Sequence, residues 1–169
     1  MASLNYPIDV LSDLIVEAKR VVVFTGAGVS TESGIPDFRS PGGVWSKYDP
    51  EEFTYQKFVS SPEARRTHWK MLTESGLTTE AEPNPAHYAV AELHRLGKLD
   101  CVITQNVDNL HQKAGVPEEK VFELHGNMQW AICLSCHRRF PLTEVLPRIK
   151  GGTEVPDCPH CRGILKPDA

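Results

Sequence analysis

The spacing of apolar side chains changes abruptly near residue 20. The apolar residues that precede it, three or four positions apart, are Ile8, Leu11, Leu14, Ile15 and Ala18. That spacing places them on one face of a helix. The β-branched run from Val21 to Phe24 follows, without polar alternation, and is typical of a strand buried on both faces of a parallel sheet. We therefore expect a helix followed by a buried strand.

A second helix and two more strands follow later in the chain. Asn84-Pro85 forms a good N-cap with proline at the first helical position, and Gly97 ends the pattern. Short apolar runs at Cys101–Ile103 and Val121–Phe122 then read as further strands. Helices alternating with strands predict a doubly wound α/β sheet, whose ligands bind at the carboxyl ends of its strands.

The connection between the first two strands is unusually long. It holds a glycine and proline loop at Ser40–Gly43 and two expected helices, near Glu51–Phe58 and Pro62–Thr73. A crossover of this length usually carries function. From about Met128 to Pro167 the composition changes to cysteine, proline and short mixed runs, which indicates a separate small module.

Four cysteines form two Cys-x-x-Cys pairs. They are Cys133, Cys136, Cys158 and Cys161, with 21 residues between the pairs, close to the spacing of zinc ribbons. Four thiolates suit a tetrahedral, structural Zn²⁺ that has no open coordination position. Redox-active pairs are the alternative. We expect His137 and His160 to be exposed, and Cys101 to be a core thiol.

Composition narrows the functional class. The 169 residues suit one domain with room for a small module, and 18 basic against 22 acidic residues give a net charge of −4. This balance argues against nucleic acid or an anionic membrane as a partner. No apolar run approaches the roughly 20 residues of a membrane span. With no export pattern near the start, we expect a cytoplasmic protein.

Glycines follow the first strand at Gly26 and Gly28. Strand followed by Gly-x-Gly is the arrangement that lets a backbone approach a dinucleotide pyrophosphate, although Thr31 stands where the third glycine is usual. A simple strand-to-helix turn is the alternative. Asp37-Phe38-Arg39 offers a ring and a guanidinium to a ligand, or forms a surface ion pair over a packed phenylalanine.

Polar residues also follow the other two strands. Gln105-Asn106-Val107-Asp108 offers amide and carboxylate groups to a carboxamide or ribose, or forms an Asx turn that caps the next helix. His125, followed by Gly126, stands directly after the third strand. Histidine is the usual proton-transfer group near neutral pH, although most isolated histidines are structural.

The order and spacing of these segments resemble those of the sirtuin (Sir2) family of NAD-dependent protein deacylases. The matching stretches are Gly26–Arg39, Thr104–His111, Leu124–Gly126 and the two cysteine pairs. The resemblance implies an α/β fold in which a Rossmann-type parallel sheet, here with an incomplete second half, carries a helical insertion and a zinc-ribbon module. It assigns residues 1–127 to the first part of the NAD-binding domain, about 41–80 to the insertion, 128–165 to the ribbon, and 166–169 to the start of the return.

The resemblance also implies the site residues, with NAD and zinc as cofactors. It makes His125 the general base and includes Asn106 and Asp108 in the catalytic set. The cofactor-binding residues that it implies are Gly26, Ala27, Gly28, Ile35, Asp37, Phe38, Arg39, Gln105, Asn106, Val107 and Asp108. Val107 replaces the isoleucine that is commoner in the family, a change that we expect to be tolerated.

The implied reaction removes an acyl group, expected to be acetyl, from a protein lysine and releases nicotinamide and O-acyl-ADP-ribose. The substrate is an acyl-lysine protein or peptide. ADP-ribosyl transfer to protein is an alternative enzymatic reading. Succinyl-preferring members carry a Tyr and an Arg three residues apart in the insertion, and no such pair occurs between Tyr48 and Lys70. A neutral acyl group is therefore expected.

The resemblance breaks off at Ile164–Ala169, where sirtuins continue into a peptide-pairing strand and the second half of the sheet. We expect the chain to be a fragment, or to be completed by a partner. Three parallel strands without their remaining partners leave a long apolar sheet edge and face open to water, which favours self-association. A zinc-stapled binding module without turnover is the alternative function.

Overall fold

The computed structural model describes residues 5–74 and 81–169. Its main sheet contains three parallel strands in the order β1 (Val21–Thr25), β2 (Leu99–Thr104) and β3 (Val121–Glu123). All three carboxyl ends therefore meet at one edge, as the alternating pattern predicts. Six α-helices occur in the described residues: α1 (Asn5–Glu17), α2 (Tyr55–Ser60), α3 (Pro62–Glu74), α4 (Pro85–Arg95), α5 (Leu110–Lys113) and α6 (Leu142–Lys150).

Helix α4 begins and ends where its sequence signals predict. The Asn84 side chain accepts a hydrogen bond from the N–H of Ala86, and Nδ1 of His87 accepts one from the N–H of Asn84. This capping box satisfies helix-start groups that would otherwise lack partners. Gly97 follows with φ +70°, a left-handed conformation that glycine adopts without strain.

Described elements cover the sheet on one face only. The strands are therefore not buried on both faces, as their apolar runs alone predict, and the open face agrees with the expectation for strands that lack their remaining partners. Val22 is 53% exposed and Phe24 is 61% exposed. In the register of the strands Phe24 lies beside Ile103, and Ile103 lies beside Phe122. Phe122 is 54% exposed. Cys101, which pairs with Val22, is half-buried and not a core thiol as expected. No described element covers this face, so an apolar row crosses the sheet in contact with water.

Helix α1 forms as predicted, but its apolar side chains are not buried. Ile8, Leu11 and Leu14 are each about 60% exposed. Hydrogen bonds from Lys98 connect the carboxyl end of α1 to the rest of the fold. Nζ of Lys98 donates to the carbonyl oxygens of Val16 and Ala18. No described helix is long and apolar enough to span a membrane.

The cysteine-rich segment forms a second, antiparallel sheet. Its strands are β4 (Trp130–Cys133), β5 (Arg139–Pro141) and β6 (Leu165–Pro167), in the order β5-β4-β6. These strands carry no recognisable sequence pattern because each has only three or four residues, too few for a period to be seen. The domain boundary at residues 127 and 128 stays a prediction.

Residues of the expected insertion and of the ribbon share one apolar core. From the insertion it contains Val44, Trp69, Met71 and Leu72, and from the ribbon Met128, Ala131, Cys133, Leu142, Val145, Cys158 and Leu165. Arg66 on α3 also donates from Nε to Glu154, 2.7 Å away. The two parts therefore pack as one body. Residues 75–80 of the expected 41–80 insertion lie outside the described residues.

Candidate active site and metal centre

Two adjoining cavities lie at the carboxyl ends of the parallel strands. One of about 240 Å³ extends toward α3 and the ribbon, and one of about 640 Å³ follows the glycine loop. Both are lined by Ala27, Phe38, Gln105, Asn106 and His125. A ligand with two chemically different parts can therefore occupy both.

The structure brings all twelve predicted cofactor and catalytic residues to these cavities. Seven of them belong to the glycine loop and the residues that follow it, and five follow β2 or β3. The complete set is Gly26, Ala27, Gly28, Ile35, Asp37, Phe38, Arg39, Gln105, Asn106, Val107, Asp108 and His125. They come from three separate stretches of sequence, and the parallel sheet places those stretches side by side.

The glycine loop leads into a 3₁₀ helix, Ala27–Ser33, and not into a regular α-helix. Gly34 ends it with φ +83°, and its N–H donates to the carbonyl oxygen of Thr31. The two interpretations of the glycine loop, a simple strand-to-helix turn and a ligand-binding loop, are therefore compatible. The same backbone makes the turn and lines the larger cavity.

Asp37 organises the loop that follows. Its carboxylate accepts hydrogen bonds from the hydroxyl of Ser40 at 2.5 Å and from the N–H of Ser40 at 2.9 Å. These bonds lower the pKa of Asp37. Among the described ion pairs none involves Arg39, whose side chain is exposed beside the larger cavity. The surface ion pair considered as an alternative is therefore not what this loop forms.

A short chain of hydrogen bonds fixes the polar groups after β2. Nδ2 of Asn106 donates to Oγ of Ser30 at 3.1 Å, and that hydroxyl donates to Oδ2 of Asp108 at 2.6 Å. Oδ1 of Asp108 accepts from the N–H of Leu110, so the Asx turn also forms. Since Nδ2 of Asn106 is a donor here, its orientation is fixed and its carbonyl oxygen is left for other partners.

His125 is exposed at the edge shared by the two cavities. Its Nδ1 lies 3.1 Å from the carbonyl oxygen of Gln105. Because a carbonyl oxygen only accepts, Nδ1 must carry the proton of this bond. In the neutral ring Nε2 then holds the free lone pair, so it is the atom able to take a proton.

Sequence reasoning missed a buried polar network beneath the site. The hydroxyl of Thr25 donates to Oγ1 of Thr104 at 2.8 Å and lies 2.9 Å from Nε2 of His111. The N–H of Asn106 donates to the same Thr104 oxygen. Burial, followed by the charge of His87, lowers the pKa of His111 to about 4. The one sign of this network in the sequence is the threonine that ends each of the two paired strands.

Ser30 was also missed, because a serine in a glycine loop has no distinctive spacing. It is only 1% exposed and forms hydrogen bonds with both Asn106 and Asp108.

A row of aromatic rings on the other side of the smaller cavity was also missed, because its members have no distinctive spacing in the sequence. It runs from Phe38 through Trp45 and Phe53 to His68, with neighbouring centroids 5.0 to 5.7 Å apart.

The four cysteines of the two pairs form one cluster. Their sulfur atoms all lie within 4.8 Å of one another, with Cys133 to Cys161 at 3.5 Å and Cys136 to Cys158 at 3.8 Å. A tetrahedral ion with Zn–S bonds of about 2.3 Å requires sulfurs about 3.8 Å apart, so the donor set fits zinc. His137 and His160 are exposed and outside the cluster.

The two cysteine turns have the same backbone form. The N–H of His137 donates to the carbonyl of Cys133, and that of Arg162 donates to the carbonyl of Cys158. His137 and Arg162 both have positive φ, 58° and 61°. Burial raises the pKa of Cys133, but N–H groups of Cys136 and Ser135 pointing at its sulfur lower it to about 6 overall, which favours the metal-binding thiolate.

Comparison with known sequences identifies relatives of one kind. The model of the Sir2 family matches residues 26–169. The NAD-dependent protein deacetylase 1 of Pyrobaculum aerophilum is 48% identical over 162 residues, which are 95% of this chain and 61% of that protein. The NAD-dependent protein deacylase 2 of Archaeoglobus fulgidus is 46% identical over 151 residues, covering 89% of this chain and 57% of that protein. The chain therefore spans about three fifths of the length of these curated relatives.

Solved structures agree with this relationship. A structure from a study of the mechanism and regulation of Sir2 enzymes is 44% identical, with a TM-score of 0.82, and covers 97% of this chain and 64% of that one. A Sir2 complex with a deacetylated p53 peptide and 3′-O-acetyl ADP-ribose is 37% identical, with a TM-score of 0.85 over 95% of this chain and 63% of that one. On this evidence the chain belongs to the Sir2 family.

Proposed function

We propose that this chain supplies the cleft of an NAD-dependent protein deacylase. The reaction removes an acyl group, in the simplest case acetyl, from a protein lysine, and releases nicotinamide and O-acyl-ADP-ribose. The observation that carries the proposal is the orientation of His125, whose Nδ1 is held by the Gln105 carbonyl so that Nε2 is left as a base where the two cavities meet. The names of the relatives support it.

NAD, when bound, supplies an anomeric carbon that the amide oxygen of the acyl-lysine attacks as nicotinamide leaves. The residues of the chain bind and orient the reactants. Gly26, Ala27 and Gly28 offer close approach to a pyrophosphate, since they line the larger cavity. Asp37, Phe38 and Arg39 line the same cavity and complete the cofactor loop.

The carboxamide of nicotinamide has a matching set of partners in the smaller cavity. Asn106 and Asp108 are linked through Ser30, and Ile35 and Val107 line the same cavity with apolar side chains. A prearranged set of polar groups on an apolar wall recognises an amide without having to reorganise. Gln105 stands next to this pocket and is the group assigned to the ribose.

His125 moves the proton. With NAD and acyl-lysine bound, its Nε2 would accept a proton from a ribose hydroxyl, whose oxygen would attack the carbon of the former acyl group. The lysine amine would leave as that bond forms, and addition of one water molecule would give the O-acyl ester of ADP-ribose. The proton transfer requires the lone pair on Nε2, which the neutral ring supplies. The Gln105 carbonyl keeps the ring in the required tautomer throughout.

We propose a structural zinc ion bound by Cys133, Cys136, Cys158 and Cys161. With four sulfur ligands it has no position open to water, so it holds the ribbon together and takes no part in the reaction.

We also propose the domain division given above, a cytoplasmic location, and self-association through the open sheet face. The exposed Phe24 and Phe122 support the last of these.

Release of nicotinamide from NAD with an acetyl-lysine peptide tests the activity. The His125→Ala variant should lose on the order of 10² or more in rate. His94→Ala is the matched control, because His94 lies on α4 and lines neither cavity, and it should keep the wild-type rate. Zinc content is measured for all three proteins.

A zinc-bound chain that releases no nicotinamide would contradict the deacylase proposal for this polypeptide. It would favour the alternative of a binding module without turnover, which the uncovered sheet face makes physically reasonable. Release that is equally fast in His125→Ala would instead remove His125 from the mechanism.

A further inference from the structure

One polar side chain in the smaller cavity has no role in the proposed reaction. His68 lies on α3 and lines the 240 Å³ cavity that His125 also lines. Its other neighbours in that wall are apolar, among them Phe53, Met71 and Met128. A lone imidazole in an apolar wall is the kind of group that fixes which ligand a cavity accepts.

Aromatic rings hold His68 in place. Its ring centroid is 5.0 Å from that of Phe53 and 5.1 Å from that of Phe58, which it meets edge-on at 85°. Phe58 is 1% exposed, so this side of the imidazole is packed against the protein interior. The ring has a defined plane before any ligand binds.

The imidazole also has an unmet hydrogen bond. Nδ1 of His68 is buried and has no hydrogen-bond partner among the described residues. Burial, followed by the positive charge of Lys166, lowers the pKa of His68 to about 4. The ring is therefore neutral near pH 7, with one nitrogen that donates and one that accepts.

The neighbouring cation does not provide a free anion site. Nζ of Lys166 donates to the carbonyl oxygens of Pro167 and Ala169, and Lys166 is not among the residues that line the cavity. A carboxylate on the ligand would therefore meet a neutral imidazole and apolar carbon in this wall, and it would have to leave water to do so.

A hydroxyl group is the ligand chemistry that fits. It both donates and accepts, so it can pair with either tautomer of a neutral imidazole. Nδ1 is buried in the present ring orientation, but the torsion χ2 of histidine is broad and roughly two-fold, so the ring can make the half-turn that exchanges Nδ1 with Cδ2 when a ligand binds. A purely aliphatic chain leaves the nitrogen unpaired.

We propose that His68 is a specificity-determining residue for short hydroxyacyl groups on lysine. The inference rests on the proposed deacylase function and names the acyl class of that site. His68 makes a hydrogen bond to the hydroxyl of the acyl chain, while Phe53, Met71 and Met128 contact its carbon atoms.

Peptides carrying butyryl-lysine and 3-hydroxybutyryl-lysine form the matched substrate pair, since they differ only in the hydroxyl. The ratio of their kcat/KM values is measured for the wild type, His68→Leu and His68→Gln. One hydrogen bond to a buried group should favour the hydroxyacyl peptide by about tenfold in the wild type. His68→Leu should lose this preference, and His68→Gln, which keeps a donor and an acceptor, should retain part of it.

An unchanged ratio in His68→Leu would overturn the inference and leave the deacylase proposal intact. A wild-type preference for a succinyl-lysine peptide over both other peptides would also overturn it, since that preference would show that this cavity wall binds a carboxylate. Circular dichroism and zinc content establish that each variant is folded.

If neither peptide is turned over, the deacylase proposal fails for this chain and binding decides the inference separately. Nε-(3-hydroxybutyryl)-lysine and Nε-butyryl-lysine are titrated into ¹⁵N-histidine-labelled protein. A shift of the His68 ring nitrogens caused by the hydroxyacyl compound alone supports a hydrogen bond. The same shift with both compounds, or a shift with neither, contradicts it.

Discussion

Gly126 packs so closely against Asp168 that a Cβ atom at Gly126 would overlap the carbonyl oxygen of Asp168. The same carbonyl accepts a 2.7 Å hydrogen bond from the N–H of Asn127. Gly126 has φ +82° and directly follows His125. The proposed general base is therefore positioned by the contact between the end of the main sheet and the segment that follows β6.

Gly126→Ala should destabilise the fold and reduce activity together. A positive φ costs a residue with a side chain about 1 kcal/mol or more, and the overlap with Asp168 adds to this by forcing the two segments apart. Urea unfolding measures the loss. Gly28→Ala is the control, because no described heavy atom lies within 4 Å of a Cβ there, and its unfolding free energy should change by less than that of Gly126→Ala.

Loss of zinc should disturb α3 as well as the ribbon. Cys133 and Cys158 belong to the same apolar core as Trp69, which is fully buried. Without the metal, repulsion or protonation of the four sulfurs removes their contribution to that core. Chelation, or Cys133→Ser, should therefore shift tryptophan fluorescence to longer wavelength. Cys101→Ser, outside the cluster, should keep one zinc per chain; a spectrum unchanged on chelation would contradict the prediction.

Ser30→Ala should weaken nicotinamide binding by about tenfold. The change removes a hydroxyl that links Asn106 and Asp108. It leaves the amide of Asn106, which is buried, without this partner at a cost of about 1–3 kcal/mol. Titration calorimetry with nicotinamide measures the effect without requiring turnover. Thr31→Ala is the neighbouring control, since its exposed hydroxyl bonds only the Gly28 carbonyl among described groups. Equal affinities for both variants would exclude the proposed role of Ser30.

Folding stability should fall between about pH 6.5 and pH 4 because of His111. Burial lowers its pKa from 6.5 to about 4 in the folded chain, so the unfolded chain takes up the proton first as pH falls. The stabilising effect of the neutral ring is complete above pH 6.5 and is lost by about pH 4, with a magnitude on the order of 2–3 kcal/mol.

Urea unfolding of the wild type and of His111→Gln at several pH values measures this contribution. It is the difference between the two proteins in how steeply the unfolding free energy changes with pH. The variant is less stable at pH 7, since the bond to Thr25 is altered, but its stability should depend less on pH in this window. A wild-type slope in His111→Gln would show that other groups cause the acid sensitivity.

Elements with strong local signals were predictable from the sequence. The capping signal at Asn84-Pro85 and the stop at Gly97 bound α4, and the uninterrupted run from Val21 marks β1, because local backbone preferences decide these features. The two cysteine pairs were equally clear, since metal ligands need a fixed spacing that a linear sequence shows.

Features that depend on distant contacts were not predictable. The exposure of Phe24 depends on whether another element covers the sheet, which its apolar run alone cannot reveal; the open face was expected only because the family resemblance breaks off at Ile164–Ala169. The roles of Ser30 and His68 come from partners far along the chain, Asp108 for the first and the cavity wall for the second. A single serine or histidine has no periodicity, so nothing local distinguishes it from a surface residue.

The pairing of β1 with β2 has a consequence for how this chain is made. Thr25 and Thr104 are in contact although they are 79 positions apart, and the loop between them must close before the sheet gains any stability. A ribosome that adds about 5–20 residues per second needs several seconds to deliver β2 after β1. During that interval β1 has no partner strand, so this apolar segment needs protection from aggregation until β2 has been synthesised.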